Sequence, residues 1–171
     1  MLIFFWGFKG YVSAWVAPND AMEVIVTGKK WLWEFGYPDG PRARNVLHVP
    51  VNKPVKLVMH AEDVIHSFYV PAFRLKRDVL PGRYTELWFT ATEPGVYQVY
   101  CTEYCGKGHS DMLARIYVDT PEEYEVFLRE GDEQVRKMPL KDLGKERLLT
   151  VVMSTHGDGD PPDDALALHR L

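Results

Sequence analysis

The sequence predicts an all-β domain, a sandwich or Greek-key barrel, closed by a C-terminal helix. From Met22 to Asp119, short apolar-alternating runs rich in Val, Ile, Tyr, Phe and Trp are separated by Gly, Pro, Asn and Asp, the rhythm of strands and turns. Of 171 residues, 46% are hydrophobic and 13% aromatic, enough to bury one core. After Asp119 the spacing of apolar residues changes to that of a helix.

Strands are expected near Glu23–Thr27, Trp31–Tyr37, Asn45–Val49, Val55–His60, Ser67–Val70, Tyr84–Ala91, Gly95–Tyr100 and Leu113–Val118. Turns are expected at Pro38-Asp39-Gly40, Val51-Asn52-Lys53-Pro54, Leu80-Pro81-Gly82 and Glu93-Pro94-Gly95. Thr120-Pro121-Glu122-Glu123 then offers an N-cap, a proline at the first helical position and a glutamate three residues past the cap. A helix over 121–130 follows, with Tyr124, Phe127 and Leu128 as the stripe that lies on the barrel. Gly157-Asp-Gly-Asp-Pro-Pro-Asp-Asp164 is polar and rich in Gly and Pro, and the extension 132–171 is expected to be partly disordered.

The chain begins Met1-Leu-Ile-Phe-Phe-Trp-Gly-Phe8, followed by Lys9, Tyr11, Trp15 and a Pro18-Asn19-Asp20 turn. A spanning helix needs about 20 apolar residues, and a signal peptide needs a basic start and a small-residue cleavage site. Neither pattern is present. Aromatic residues before a polar turn mark the end of a transmembrane helix leaving the bilayer, so residues 1–20 are expected to be such an end plus a linker. An ordinary buried N-terminal strand or helix is the alternative.

Charged residues make up 26% and the net charge is −4, which excludes the basic excess that a phosphate backbone demands. Nucleic acid is therefore not expected as a partner. Asp119–Gln134 carries seven acids against Arg129, and Val135–Arg147 carries five bases against two acids. These are solvated faces, or an acidic surface that steers a basic protein partner.

The chemistry concentrates in Cys101-Thr-Glu-Tyr-Cys105-Gly-Lys-Gly-His109-Ser-Asp-Met112, which holds both cysteines of the chain, a histidine and a methionine at spacings of four, four and three. Gly106 and Gly108 point to a loop leaving the strand that ends at Cys101 rather than to one helical face. Two thiolates, an imidazole and a thioether are a soft donor set, suited to copper rather than to magnesium or calcium. Zinc also suits Cys and His, but a weak thioether ligand is typical of copper electron-transfer sites. A disulfide between Cys101 and Cys105, or a buried unreactive pair, is the competing reading of the cysteines alone.

Such a site needs a second imidazole, from His48, His60, His66, His156 or His169. His66, in Asp63-Val-Ile-His66-Ser-Phe-Tyr, stands where a loop becomes a strand and can point to one end of the barrel. His48 and His60 lie within strands and suit surface or core roles, while His156 and His169 lie in or near the tail.

Cys-x-Glu-x-Cys-Gly-x-Gly-His-x-x-Met, with His66-Ser-Phe some 35 residues earlier, closely resembles the binuclear copper (CuA) domain of cytochrome c oxidase subunit II. Thr27-Gly-Lys-Lys-Trp31-Leu-Trp-Glu-Phe-Gly-Tyr37-Pro is similar to that family's aromatic-rich strand, and Arg77-Asp78-Val-Leu-Pro81-Gly82-Arg83 to its segment facing the catalytic subunit. The resemblance covers about Met22 to Leu128. It implies a cupredoxin-like Greek-key barrel over 21–131, with 1–20 at the end of the second transmembrane helix.

It also implies that Cys101 and Cys105 bridge two copper ions, with one nitrogen each from His66 and His109. Met112 completes one copper and the backbone carbonyl of Glu103 the other. The Glu103 carboxylate is left to meet a magnesium ion, only in the full complex. Trp31 is implied as the surface aromatic that receives electrons from cytochrome c, although alternation puts Trp33 and Phe35 on the same face. Lys76, Asp78 and Arg83 would lie towards subunit I, which carries the haem.

A centre that shares one unpaired electron over two metals and two sulfurs reorganises little and needs no open coordination position. On this reading the domain is an electron carrier, and enzyme status, cytochrome c oxidase (EC 7.1.1.9), belongs to the complex. The expected partners are subunit I, cytochrome c or a fused cytochrome domain, and the membrane through an N-terminal anchor. The expected place is the outer, periplasmic face of the cytoplasmic membrane, where free thiols would normally oxidise unless a metal holds them. Nitrous oxide reductase carries a similar copper domain, but with an aromatic pair between the cysteines. A quinol oxidase subunit of this fold would lack the ligands, and a mononuclear blue-copper carrier needs one cysteine. A zinc-stabilised or disulfide-linked interaction domain would have no redox activity.

Overall fold

The computed structural model describes residues 1–38 and 40–131. The expected C-terminal extension 132–171, with His156 and His169, lies outside the described residues.

Among the described residues, ten strands form two five-stranded sheets. The first is ordered β3-β2-β1-β5-β8, from β1 (Met22–Lys29), β2 (Leu32–Gly36), β3 (Arg42–Arg44), β5 (Pro54–Ala61) and β8 (Thr85–Thr90). The second is ordered β4-β10-β9-β6-β7, from β4 (Val46–Pro50), β6 (His66–Val70), β7 (Leu75–Val79), β9 (Gly95–Cys101) and β10 (Leu113–Asp119). Most neighbours are antiparallel, but β1 runs parallel to β5 and β4 parallel to β10. Those parallel pairs join strands distant in sequence, so the chain must cross between the sheets as a Greek key does.

The predicted alternation is realised where a sheet covers the core. Along β5, Val55, Leu57, Met59 and Ala61 point inward while the residues between them are half-buried, the period-two pattern of a one-sided strand. Trp33 and Phe35 of β2 are fully buried and meet Phe68 of β6 edge-on, at ring-centroid distances of 5.2 and 6.3 Å. These edge-to-face contacts join the two sheets.

β3 and β7 escape the sequence reading. Both are edge strands, and Arg42-Ala-Arg44 and Leu75-Lys-Arg-Asp-Val79 carry the charges that edge strands use against pairing with other chains. They pack too little apolar surface to show periodicity. The segment holding Lys76 and Asp78 is thus paired strand, not only turn.

The expected C-terminal helix is α2, Pro121–Glu130, with a complete capping box. The Thr120 hydroxyl accepts from the Glu123 N–H at 3.3 Å, and the Glu123 carboxylate accepts from the Thr120 N–H at 2.9 Å. Phe127 is fully buried, stacked on His48 at 4.3 Å and edge-on to Tyr37 at 5.2 Å. Tyr124 packs beside it, but Leu128 is 42% exposed, so the docking stripe is narrower than the spacing suggests.

Residues Leu2–Trp15 form a helix, α1, none of whose residues is buried. The alternative of a buried N-terminal element is therefore wrong. No helix among the described residues is long and apolar enough to cross a membrane. α1 meets β8 of the first sheet, and at its end the Trp15 ring lies 3.9 Å from the Arg77 guanidinium of β7.

Truncating Phe127→Ala is expected to destabilise the domain by about 3–5 kcal/mol, and Thr120→Ala by about 1 kcal/mol, in urea denaturation. Equal losses in the two variants would mean that α2 is not docked through Phe127.

Candidate metal centre

β9 ends at Cys101 and β10 begins at Leu113, with Tyr100 and Leu113 paired across the ladder. The Cys101 N–H donates to the Met112 carbonyl at 3.2 Å, which ties the two ends of the loop together. Inside it, N–H groups of His109, Asp111 and Met112 donate to the carbonyls of Gly106, Gly108 and His109 at 3.0, 3.2 and 3.3 Å. The chain is thereby curled into successive tight turns. Gly106 sits at φ +115°, a conformation that a side chain would strain.

The curl brings the donor atoms together. The Cys101 and Cys105 sulfurs face each other at 3.9 Å as free, buried thiols, so the disulfide reading of the pair is not what this structure holds. Nδ1 of His66 lies 3.9 Å from the Cys101 sulfur, and Nδ1 of His109 lies 3.5 Å from the Cys105 sulfur. The Met112 sulfur, fully buried, is 3.9 Å from the Cys105 sulfur. The Glu103 carbonyl lies 3.4 Å from the Cys101 sulfur, while the Glu103 residue is exposed. Donor atoms of His66, Cys101 and Cys105 all fall within 4.8 Å of one another.

His66 comes from the neighbouring strand. β6 pairs with β9 through Phe68 opposite Cys101, and the Thr102 N–H donates to the Ser67 carbonyl at 3.0 Å. Register thus places His66 beside the sulfurs, and its ring is fully buried against Trp33 at 6.0 Å.

Electrostatics separate the two thiols. Burial raises the Cys101 pKa, but hydrogen bonding with His66, with the backbone of Ser67 and Glu103 and with Cys105 outweighs it and holds the thiol below its usual value. Cys105 is pushed up to about 12, first by burial and then by the negative charge of Cys101. Two thiolates cannot both persist here without a cation between them, and a bound metal ion supplies that charge. His109 is lowered by burial above all, which keeps its imidazole neutral and fit to ligate.

The other expected residues are placed as follows. Trp31 is 38% exposed just before β2, whereas Trp33 and Phe35 are buried, which settles which of the three aromatics reaches the surface. Its indole N–H donates to the Cys105 carbonyl at 3.2 Å, and a Cβ on Gly108 would come within 2.5 Å of the ring. Asp78 accepts from Ser67 and Lys76 at 2.8 Å each, and Arg83 is exposed in the turn before β8. His48 is a core residue, held by Asp119 at 2.6 Å, and His60 lies edge-on to Tyr84 at 5.4 Å.

Two residues at the site carried no expectation. The Asp63 carboxylate contacts Nε2 of His66 at 2.9 Å; its signal is an acid three residues before a candidate ligand histidine. Tyr104 is 77% exposed and edge-on to His109 at 5.7 Å, with no signal in the sequence beyond its place between the cysteines.

The family described as "Cytochrome C oxidase subunit II, periplasmic domain" matches residues 41–119. "Cytochrome c oxidase subunit 2" of Synechocystis sp. is 47% identical over 106 residues, which cover 62% of this chain and 32% of that protein. The chain spans about a third of the length of such curated relatives. Among solved structures, the periplasmic domain of subunit II of cytochrome oxidase (CoxB) of Bradyrhizobium japonicum aligns with a TM-score of 0.65 and 31% identity, over 70% of this chain and 99% of that one. A second, solved as a mixed disulfide intermediate between a thioredoxin-like protein and subunit II of cytochrome c oxidase, aligns with a TM-score of 0.60 and 31% identity, over 70% and 96%. Shared sequence and shared fold over nearly the whole of a solved domain lead to one conclusion: this chain belongs to the cytochrome c oxidase subunit II family and carries its cupredoxin-like periplasmic domain.

Proposed function

We propose that the chain is the electron-carrying domain of a haem-copper oxidase, taking single electrons from cytochrome c and delivering them towards haem in subunit I through two copper ions held at Cys101 and Cys105. The observation that carries this reading is the convergence of two imidazole nitrogens, a thioether and a carbonyl on two facing sulfurs.

His66, Cys101, Cys105, His109, Met112 and the Glu103 carbonyl would hold the ions, and this soft set suits copper. Bound there, copper would supply one-electron exchange shared between the ions and the sulfurs, so that gaining or losing the electron would cost little reorganisation. The residues of the chain do the rest. The β9–β10 ladder keeps the donors from moving between oxidation states, and burial of both cysteines and Met112 keeps water out. Trp31, exposed on one side and bonded to the Cys105 carbonyl on the other, offers the route from the surface.

Around this centre, Asp78, Arg83 and the Glu103 carboxylate would face subunit I, with magnesium at Glu103 only in the full complex. The aromatic helix α1 would continue into the membrane anchor, with the domain of residues 21–131 on the outer face of the cytoplasmic membrane. The oxygen chemistry of cytochrome c oxidase would then lie in subunit I. A thioredoxin-like protein, such as the one with which a related domain was solved in a mixed disulfide, would act on an oxidised Cys101–Cys105 pair, its own dithiol being oxidised to a disulfide as the two thiols are restored before metal is loaded.

Loaded with copper, the chain is expected to hold two ions and to give an electron paramagnetic resonance signal split by both nuclei; one copper, or one zinc, would overturn the reading. Cys105→Ser should abolish that signal, while Met112→Leu should keep it and shift the potential. Gly108→Ala should push the Trp31 ring off the loop and slow electron uptake from reduced cytochrome c by roughly tenfold to a hundredfold, with copper content unchanged. Uptake at the unaltered rate in stopped-flow mixing would remove Trp31 from the route.

A further inference from the structure

We infer that Asp63 is a positioning residue that sets two things at once: the ring nitrogen that His66 presents to the cysteines and the seat of Trp31 on the ligand loop. The inference rests on the copper reading for its purpose, though its geometry stands without metal.

Both oxygens of the Asp63 carboxylate are occupied as acceptors. Oδ2 takes the Lys30 N–H at 2.8 Å, and Oδ1 takes the Val64 N–H at 2.6 Å. Backbone N–H groups only donate, so these oxygens must accept. An ionised carboxylate has no proton to give, so Nε2 of His66, 2.9 Å from Oδ1, is the donor, and the neutral imidazole then has its lone pair on Nδ1. Nδ1 is the nitrogen that faces the Cys101 sulfur. A carboxylate on the far nitrogen of a ligand histidine fixes the tautomer and stops rotation of the ring.

The Lys30 bond does the second job. Lys30 precedes Trp31, whose ring lies over Gly106 and Gly108 and whose N–H reaches the Cys105 carbonyl. The turn between β1 and β2 is otherwise tied down by the Glu62 N–H, which donates to the Gly28 carbonyl at 3.0 Å, and by the Lys29 ammonium on Glu34 and Glu62 at 2.9 and 3.2 Å. None of these acts on the backbone between Lys30 and Trp31. One carboxylate therefore links a candidate ligand to the candidate electron-receiving aromatic.

The test is nitrogen-15 NMR of the metal-free 171-residue chain with Asp63→Ala and, as the variant that keeps the shape, Asp63→Asn. In the unaltered chain, His66 should show a protonated Nε2 and a bare Nδ1 when neutral. Asp63→Ala should lose that preference and give a mixture of tautomers. Exchange of the Trp31 indole N–H should speed up by about fivefold, the factor for one lost hydrogen bond of ordinary strength. Asp63→Asn, which retains one acceptor oxygen, should fall between. A purely structural role would lower stability without changing the tautomer. If Asp63→Ala folds and either readout keeps its unaltered value, the shared clamp is overturned; if it does not fold, an unaltered tautomer in Asp63→Asn overturns it. Failure of the unaltered chain to bind two coppers would instead sink the function proposed above and leave this measurement to decide.

Discussion

The donor loop depends on a single rung of backbone pairing. Cys101 and Met112, the first and last donors of the loop, are held together where β9 meets β10. With both ends pinned, the segment between them has a short span to turn in, and the only way to fit it is a succession of tight turns. Cys105 and His109 are carried into the interior of that curl. The ladder is built from ordinary core strands, so the precision of the site is inherited from the hydrophobic packing of the barrel.

That inheritance has an electrostatic cost. Two thiols and two imidazoles are taken from water and set against each other without a cation, and the high pKa of Cys105, about 12, expresses the repulsion and burial involved. The fold relieves this on one side only, where the His66 imidazole lies beside the Cys101 sulfur. It keeps one thiol favoured as the anion through hydrogen bonds and leaves the other protonated, an arrangement that a metal ion resolves by displacing the protons. Metal binding and the stability of this corner are therefore linked.

The rest of the barrel arranges what surrounds the centre. Trp33 and Phe68 fill the core beneath His66, while Trp31, two residues from Trp33, lies on the loop and opens to the surface. A segment exposed at Trp31, just before β2, and buried at Trp33 within it gives the centre an aromatic neighbour on both its inner and outer sides. At the edge of the second sheet beside β6, β7 holds Asp78 next to Ser67 and meets the end of α1 through Arg77.

The donors were legible because most lie within one stretch of twelve residues, and chemical types at fixed spacing survive without knowledge of the fold. Gly106 and Gly108 showed that the stretch was a loop, since side chains are poorly tolerated at such positions. His66 was legible from its place at the start of a strand. The capping box of α2 was equally plain, because caps are local. Edge strands β3 and β7 were not, since strands that bury little need no apolar alternation. The exposure of Leu128, the choice of Trp31 over Trp33 and Phe35, and the grip of Asp63 on both His66 and Lys30 were likewise decided in three dimensions. The sequence by itself determined which groups could meet a metal, for that follows from residue chemistry and short spacing. Only the tertiary structure decided which nitrogen faces the sulfurs, which aromatic reaches the surface and which carboxylate touches His66, because those depend on strand register and on contacts between segments far apart in the chain.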